Sequence, residues 1–180
     1  MRYPPRTQIQ PMIPMLNRSL TYHLASIAED GIGNATRIFE SRFGWNVYEI
    51  RVLRLIRNTP GITFTQLALL TKFERSATSR MLSRLIRAGL VTRTNSLDDA
   101  RQFTLMVTEA GTTLCQQADP LSLELEAIML EPLSASEREE FRRMLETVLA
   151  WIRQGYGEKV AQRFPEARGS KAKKARNVRP

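Results

Sequence analysis

Apolar positions recur every three or four residues along both flanks of the chain, and alternate with polar positions in a short central stretch. On the first flank the helical spacing predicts one helix over residues 15–42 and a second over residues 45–57. We expect Gly31 and Gly33 to loosen the first helix, because glycine is a poor helix former. The breaker residues at positions 58–61 should end the second helix.

Two short helices and a hairpin are predicted over residues 65–107. Thr65 caps a helix that ends near residue 71, residues 72–74 form a turn, and a second helix over residues 75–88 stops at Gly89. Residues 90–93 then form a strand, residues 95–101 form a polar tip, and Phe103, Leu105 and Val107 alternate as in a returning strand. This order is typical of a winged helix-turn-helix, whose second helix enters the major groove of DNA.

The third part of the pattern is again helical. Thr108 can cap a helix from residue 109, and we expect Pro120 to kink or divide it because proline removes a helical hydrogen bond. Ser134 with Glu137, or Ser136 with Glu139, makes a capping box for a last helix that runs to about residue 154. That helix carries an apolar stripe formed by Phe141, Leu145, Val148, Leu149 and Ile152.

Together these elements predict a mainly α fold with a small β-hairpin, a winged helix-turn-helix with flanking dimerisation helices. Residues 1–14, with four prolines, form an extended N-terminal arm. Residues 15–64 form the N-terminal dimerisation helices and the entry to the DNA-binding lobe, and residues 65–108 form the winged helix-turn-helix. Residues 109–156 form the C-terminal dimerisation helices, and residues 165–180 form a disordered basic tail. A projecting helix pair cannot bury its apolar faces within one subunit, so we expect a homodimer.

The charge of the chain points to a polyanionic partner. The formal net charge is +9 and the isoelectric point is about 10.4. Six basic residues and no acidic ones lie in residues 168–180, and residues 72–101 carry a local charge of +4, from seven basic and three acidic residues. Residues 124–146 carry −4, from seven glutamates and three arginines. Positive charge therefore gathers at the tail and at the predicted helix-turn-helix, where double-stranded DNA is the expected partner.

Side chains suited to catalysis are scarce. The chain has one histidine and one cysteine, and no glycine-rich phosphate loop, so we expect neither an enzyme nor a metal site nor a cofactor. The lone Cys115 is expected to be a small core residue rather than a reactive thiol. No apolar run resembles a signal peptide or a membrane span, and we expect a soluble cytoplasmic protein.

The helix predicted over residues 75–88 supplies the candidate DNA contacts. Short polar side chains can bind phosphates or base edges, and arginines can fork onto guanine or phosphate. The competing interpretation is a basic helix face that is merely solvated. The candidates on this helix are Arg75, Ser76, Ala77, Ser79, Arg80 and Arg84.

The segment LAxxTKFERSATSRMLSRLIRAGLVTR resembles the helix-turn-helix of the MarR (multiple antibiotic resistance regulator) family. The sequence Asp99-Ala100-Arg101 resembles the family's D-x-R wing motif, and residues 107–111 are similar to the L-T-x-x-G that follows the wing. The resemblance covers residues 16–154, and residues 67–111 carry its specific motifs.

The resemblance implies a homodimer with intertwined first and last helices, bound to a pseudo-palindromic operator as a repressor that a small aromatic acid releases. It also implies that Arg101 is the wing-tip arginine and that Asp99 orients it through a salt bridge. Asp98 and Ala100 depart from the more basic wings of the family, which would weaken the wing's hold on DNA. The family's redox branch uses a cysteine near the start of the first helix, and this chain has none there.

An effector site is also expected near the first and second helices. His23 lies at helical spacing with apolar residues, and could pair with an anionic aromatic acid with help from Arg18 and Arg51. The plainer alternative is a core or interface histidine satisfied by one hydrogen bond. At the level of function, the alternative to a specific regulator is a nonspecific nucleic-acid-binding or architectural dimer that uses its basic tail and has no effector.

Overall fold

The computed structural model describes residues 18–95 and 103–168. The predicted arm over residues 1–14, the wing tip with Asp99 and Arg101, and the tail from residue 169 onward lie outside the described residues. The chain divides into two compact units, Met1–Met129 and Leu130–Pro180.

The first unit opens with two capped helices. Helix α1 (Leu20–Phe43) begins after Ser19, whose side chain accepts the N–H of Tyr22, and ends at Gly44 in the left-handed region with φ 73°. It is unbroken, so the predicted weak point at Gly31 and Gly33 is wrong. Tertiary contacts outweigh glycine's low propensity here, since Gly31 packs beside Met129 of a later helix.

Helix α2 (Val47–Asn58) starts two residues later than predicted, because Asn46 is its cap. The Asn46 side chain accepts the N–H of Glu49, and the Glu49 carboxylate accepts the N–H of Asn46 in return. This capping box satisfies two backbone donors that a bare helix end would leave unpaired.

The helix-turn-helix follows a two-residue strand, β1 (Ile62–Thr63). Helix α3 (Phe64–Thr71) is capped by Thr63, so the prediction of Thr65 as the cap is wrong. Thr63 was the better candidate because Gln66, three residues on, closes a capping box with it. After a turn in which Lys72 has φ 57°, helix α4 (Arg75–Arg87) begins, and Gly89 with φ 70° follows its C-cap Ala88.

The hairpin is part of a three-stranded sheet. Strand β2 (Val91–Asn95) pairs antiparallel with β3 (Phe103–Val107), and Arg93 lies opposite Leu105. On its other edge β3 pairs with β1, where Ile62 lies opposite Leu105. The strand order is β1-β3-β2. It joins the hairpin of β2 and β3, which is the wing, to the start of the helix-turn-helix. The sequence predicted β2 and β3 as a hairpin, but the pairing of β1 with β3 comes from the structure alone.

The main core is formed by apolar side chains from α2, from every helix and strand between α2 and β3, and from the helix that follows β3. Leu105 of β3 and Leu85 of α4 are both fully buried in this core. The core therefore fixes α4 on one side and leaves its other side to solvent. Its buried members are Val52, Leu53, Ile56, Ile62, Leu67, Leu82, Leu85, Leu90, Val91, Leu105 and Cys115.

Helix α5 (Glu109–Met129) is continuous, with Pro120 inside it. The expectation that Pro120 divides the helix is therefore wrong. Buried side chains lie on both sides of the proline, Ala118 before it and Leu121 after it, and both pack against Phe39 and Ile50. Packing on this scale can offset the roughly 3 kcal/mol that an internal proline costs. Thr108 caps the helix as predicted, because its hydroxyl accepts the N–H of Gly111 at 3.1 Å.

The second unit is helical throughout most of its described length. Helix α6 (Ala135–Trp151) starts with the capping box of Ser134 and Glu137, one of the two predicted. Hydrogen bonds from Ser134 hold the pKa of the Glu137 carboxyl below its usual value. A π-helical segment (Ile152–Tyr156) follows, and then helix α7 (Gly157–Arg163).

The predicted helix end near residue 154 is wrong. A glycine at position 155 leaves room for the ring of Trp151, which would lie 2.7 Å from a Cβ added there. Helical structure continues to Arg163, and Pro165–Arg168 forms a short 3-10 turn. The first residues of the predicted tail, 165–168, are therefore ordered into a turn.

Candidate nucleic-acid interface

Helix α4 has one buried face and one exposed polar face. Thr78, Leu82 and Leu85 are buried at spacings of four and three residues. On the opposite side the exposed residues also recur at helical spacing, so they form one continuous polar stripe. The exposed residues of α4 are Arg75, Ser76, Ser79, Arg80, Ser83, Arg84 and Arg87.

A buried hydroxyl pair joins the two helices of the motif. The Oγ1 atoms of Thr71 and Thr78 lie 3.1 Å apart, and Thr78 also contacts the carbonyl of Glu74 at 3.3 Å. Thr78 is fully buried and Thr71 is 6% exposed, so each hydroxyl needs a protein partner. The pair links the end of α3 to the first turn of α4.

The first turn of α4 lies beside aromatic side chains. The guanidinium of Arg75 stacks over the ring of Phe64, 5.0 Å from its centroid. Ala77 is half-buried and faces Tyr48 and Phe73, whose rings meet edge to face at 5.1 Å. Ser76, Ser79 and Arg80 are exposed, as the sequence predicted.

Arg84 differs from the other predicted DNA contacts. Its Nη1 donates to both carboxylate oxygens of Glu49, at 2.6 and 2.7 Å, and its Nη2 donates to the carbonyl of Gly44 at 2.9 Å. The guanidinium also lies 4.5 Å from the centroid of the Trp45 ring. Arg84 is therefore held by residues of its own chain, although half of its side chain remains exposed.

Two further exposed residues of α4, Ser83 and Arg87, were missed from the sequence. Ser83 continues the polar stripe one turn beyond Ser79, and Arg87 continues it two turns beyond Arg80. The signal that could have found them is the spacing itself, since each lies four residues after an assigned position (Ser79 and Ser83) or seven (Arg80 and Arg87). The stripe from Ser79 onward lines an open groove of about 470 Å³ together with Glu49 and Met81.

The base of the wing is joined to the end of α4. Thr108 donates its N–H to the carbonyl of Leu90 at 3.0 Å and its hydroxyl to the carbonyl of Gly89 at 2.7 Å. On the strands, the guanidinium of Arg93 lies over the ring of Phe103 at 5.2 Å. The hairpin therefore leaves the body of the protein from a fixed point next to α4, which carries the exposed basic residues.

The structure does not bring the three predicted effector residues together within one chain. His23 and Arg18 are exposed at the start of α1, where the ring of His23 lies edge-on to Tyr22 at 6.0 Å. Arg51 lies on α2, over the ring of Tyr48 at 5.7 Å. Helix α1 packs on α2 through Phe39, which is sixteen residues or roughly 24 Å along the helix from His23. Among the residues that the structure describes, His23 is therefore exposed instead of facing an apolar surface.

A small groove lies instead between the start of α2 and the first two turns of α4. Its volume is about 370 Å³, and its walls are aromatic and apolar apart from one amide and one guanidinium. The lining residues are Asn46, Tyr48, Phe73, Ala77, Arg80 and Met81.

The described residues contain no cluster of three or more histidine, cysteine or acidic side chains that could hold a metal ion. Over the same residues, no helix combines the length and the apolar character needed to cross a membrane. Cys115 is fully buried, as the sequence predicted, and burial raises the pKa of its thiol.

Comparison with known sequences supports the arrangement of α2 to β3. The sequence model of the MarR family matches residues 45–103. The HTH-type transcriptional repressor Rv2887 of Mycobacterium tuberculosis is 30% identical over 106 residues, which are 59% of this chain and 76% of that protein. This chain belongs to the MarR family. The repressor Mb2911 of Mycobacterium bovis matches at the same identity and coverage.

Solved MarR-family structures share the fold. A structure of Rv2887 in complex with salicylic acid is 27% identical, with a TM-score of 0.62 over 72% of this chain and 96% of that one. A mutant of MarR from E. coli in complex with operator DNA is 24% identical, with a TM-score of 0.65 over 72% of this chain and 93% of that one. The resemblance drawn from residues 67–111 and the mainly α winged-helix fold class are therefore confirmed.

Proposed function

We propose that this MarR-family chain is a homodimeric, sequence-specific DNA-binding transcriptional regulator, acting as a repressor that a small aromatic acid releases. The observation that carries the proposal is the polar stripe of α4. The stripe is exposed and basic, and the opposite face of α4 packs into the buried core. The hairpin of β2 and β3 begins next to it.

The stripe has the chemistry of a reading surface. Arg80 is exposed on the central turn of α4, where a guanidinium can fork onto guanine or bridge two phosphates. Ser76 and Ser79 flank it with hydroxyls that suit phosphate oxygens. We assign Arg101 at the wing tip to the flanking backbone, with Asp99 orienting it, as the family resemblance implies.

The exposed apolar residues of the second unit support a homodimer. Leu145, Val148 and Leu149 lie on one side of α6 at helical spacing, and each is between 37% and 40% exposed. No residue of α6 is buried. A stripe of large, partly exposed apolar side chains is typical of a surface that another helix covers. A second copy of the chain is the simplest source of that covering helix.

An anisotropy titration with a labelled operator tests the proposal. Footprinting upstream of the protein's own gene identifies the operator, and a shuffled duplex of equal length serves as competitor. We expect wild type to prefer the operator, and Arg80→Ala to lose about 1–3 kcal/mol of operator binding and part of this preference. Arg143→Ala is the matched control, because Arg143 is an exposed arginine of α6 in a 3.6 Å contact with Glu140.

Several outcomes would contradict this assignment. Equal affinity of wild type for operator and shuffled duplex would favour the alternative function, a nonspecific binder. Loss of binding in Arg143→Ala equal to the loss in Arg80→Ala would mean that only total charge matters.

Arg101→Ala should weaken binding to all duplexes and reduce the salt slope by about one unit, and Asp99→Ala should act in the same direction more weakly.

For the effector, we propose an aromatic carboxylate of the salicylate class, a choice supported by the salicylic acid complex of Rv2887. Within one chain, the groove of Tyr48, Phe73 and Arg80 offers aromatic walls and a cation for the carboxylate. Because Arg80 is also a proposed DNA contact, an acid bound there would compete directly with the operator. The group of His23 and Arg18 is the other proposed position, and it would need residues of a second copy to enclose a ligand.

Titrating salicylate and benzoate against the operator complex separates the two positions. We expect Phe73→Ala to keep operator binding and to need more acid for release, while His23→Ala responds like wild type. The opposite result would assign the effector to His23. Wild-type protein that stays on the operator at millimolar acid would contradict the effector proposal and leave the DNA-binding proposal standing.

A further inference from the structure

One guanidinium joins three helices next to the exposed stripe of α4. Arg84 belongs to α4, its Nη1 binds Glu49 in the first turn of α2, and its Nη2 binds the carbonyl of Gly44, the C-cap of α1. Trp45, between α1 and α2, lies against the same guanidinium. The junction of α1 and α2 and the helix that carries Arg80 therefore share one side chain.

The carboxylate that binds Arg84 is buried. Glu49 is 3% exposed, and the described residues contain no other buried charged side chain. One of its oxygens, Oε2, also accepts the N–H of Asn46 in the capping box. A buried carboxylate is costly unless a cation and hydrogen bonds compensate it, so Glu49 needs Arg84 in this position.

We propose that Arg84 is a positioning residue for the DNA-reading helix and not a DNA contact. Its bonds to Glu49 and Gly44 set the rotation of α4 against the α1–α2 junction, and Arg80, one turn earlier, takes its direction from that setting. The inference rests on the proposed function, since it concerns how operator preference arises. It also links α1 and α2 to α4, so that a change at their junction alters the orientation of the reading face.

The alternative is that Arg84 is itself a DNA contact, since 48% of its side chain is exposed and it lies on the same helix as Arg80. The two roles predict opposite effects at Glu49. If Arg84 reads DNA, neutralising Glu49 releases the arginine and strengthens operator binding. If Arg84 positions α4, the same change weakens operator preference, although Glu49 is buried and cannot touch DNA.

The experiment uses the full-length chain and compares Kd for operator and for shuffled duplex at one salt concentration. Glu49→Gln keeps an oxygen for the capping box and removes the negative charge. Arg84→Lys keeps the positive charge and removes the forked guanidinium that reaches both Glu49 and Gly44. The matched controls are Glu140→Gln and Arg143→Lys, which make the same changes in an exposed ion pair of α6.

We expect Glu49→Gln and Arg84→Lys each to weaken operator binding about tenfold, with binding to shuffled duplex changed less than twofold. The double variant should lose no more operator affinity than either single variant, because both substitutions remove the same interaction between Arg84 and Glu49. The controls should bind operator within twofold of wild type. Circular dichroism and melting curves confirm that each variant is folded at the assay temperature, and Arg84→Lys, the milder change, decides the question if Glu49→Gln is not folded.

Operator binding by Glu49→Gln that equals or exceeds wild type would overturn the inference. So would equal losses of operator and shuffled duplex in Arg84→Lys, which would make Arg84 a phosphate contact. A wild-type protein without operator preference would instead contradict the proposed function. The failures of the two proposals are therefore distinguishable.

Discussion

Gly111, in the first turn of α5, lies against the base of the wing. A Cβ placed on Gly111 would lie 2.3 Å from the carbonyl oxygen of Leu90 and 2.6 Å from Cγ2 of Val107. The Leu90 oxygen cannot move freely, because it accepts the N–H of Thr108 at 3.0 Å. Gly111→Ala must therefore displace either the helix or the base of the wing.

The size of the effect follows from two opposing contributions. Forcing an extra carbon into a packed site costs about 1–3 kcal/mol, and alanine returns at most about 1 kcal/mol of helix propensity. We expect a net loss of up to about 2 kcal/mol, which corresponds to a fall in Tm of up to about 8 °C for a chain of this size. Operator binding should also weaken, since the hairpin starts at this point.

Gly33→Ala is the matched control, because Gly33 is also helical but a Cβ there would meet no atom within 4 Å. Removing a glycine from an open helix position should stabilise the chain by about 0.5–1 kcal/mol, so its Tm should rise. Melting curves at one protein concentration, where the contribution of dimerisation is constant, measure both variants. A Gly111→Ala protein as stable as Gly33→Ala would refute the packing argument.

Three further predictions concern other parts of the chain. Val148→Asp should give monomers in sedimentation at micromolar concentration, because an unpaired charge in a packed interface costs several kcal/mol; a wild-type monomer would contradict the dimer. Truncation after Arg163 should weaken binding to operator and shuffled duplex by similar factors, most at low salt, because the six basic residues of 168–180 can only attract phosphates; a selective loss of operator binding would make the tail a reading arm. Burial raises the pKa of Cys115, so the folded chain holds the thiol proton more tightly than the unfolded chain. The thiol should therefore react with a thiol reagent only on unfolding, and the Tm should fall as the pH rises above the ordinary thiol pKa; rapid labelling of native protein would contradict the buried position.

Local patterns in the sequence determined most of the secondary structure. The alternation of Phe103, Leu105 and Val107 specified β3, and the residue order of the helix-turn-helix specified α3 and α4. These features are readable because the side-chain periods of helix and strand are properties of a few consecutive residues. The same reasoning found the capping box of Ser134 and the exposed positions Ser76, Ser79 and Arg80.

Only the tertiary structure decided which residues meet across long separations. It paired β1 with β3, carried α5 unbroken through Pro120, and joined Arg84 to Glu49, 35 residues earlier in the chain. It also separated His23 from Arg51, which the helical pattern alone had allowed to converge. The physical reason is that helical spacing fixes which face a side chain occupies, while the fold determines what lies opposite that face. For this reason the polar stripe of α4 could be predicted from the sequence, and the internal role of Arg84 within it could not.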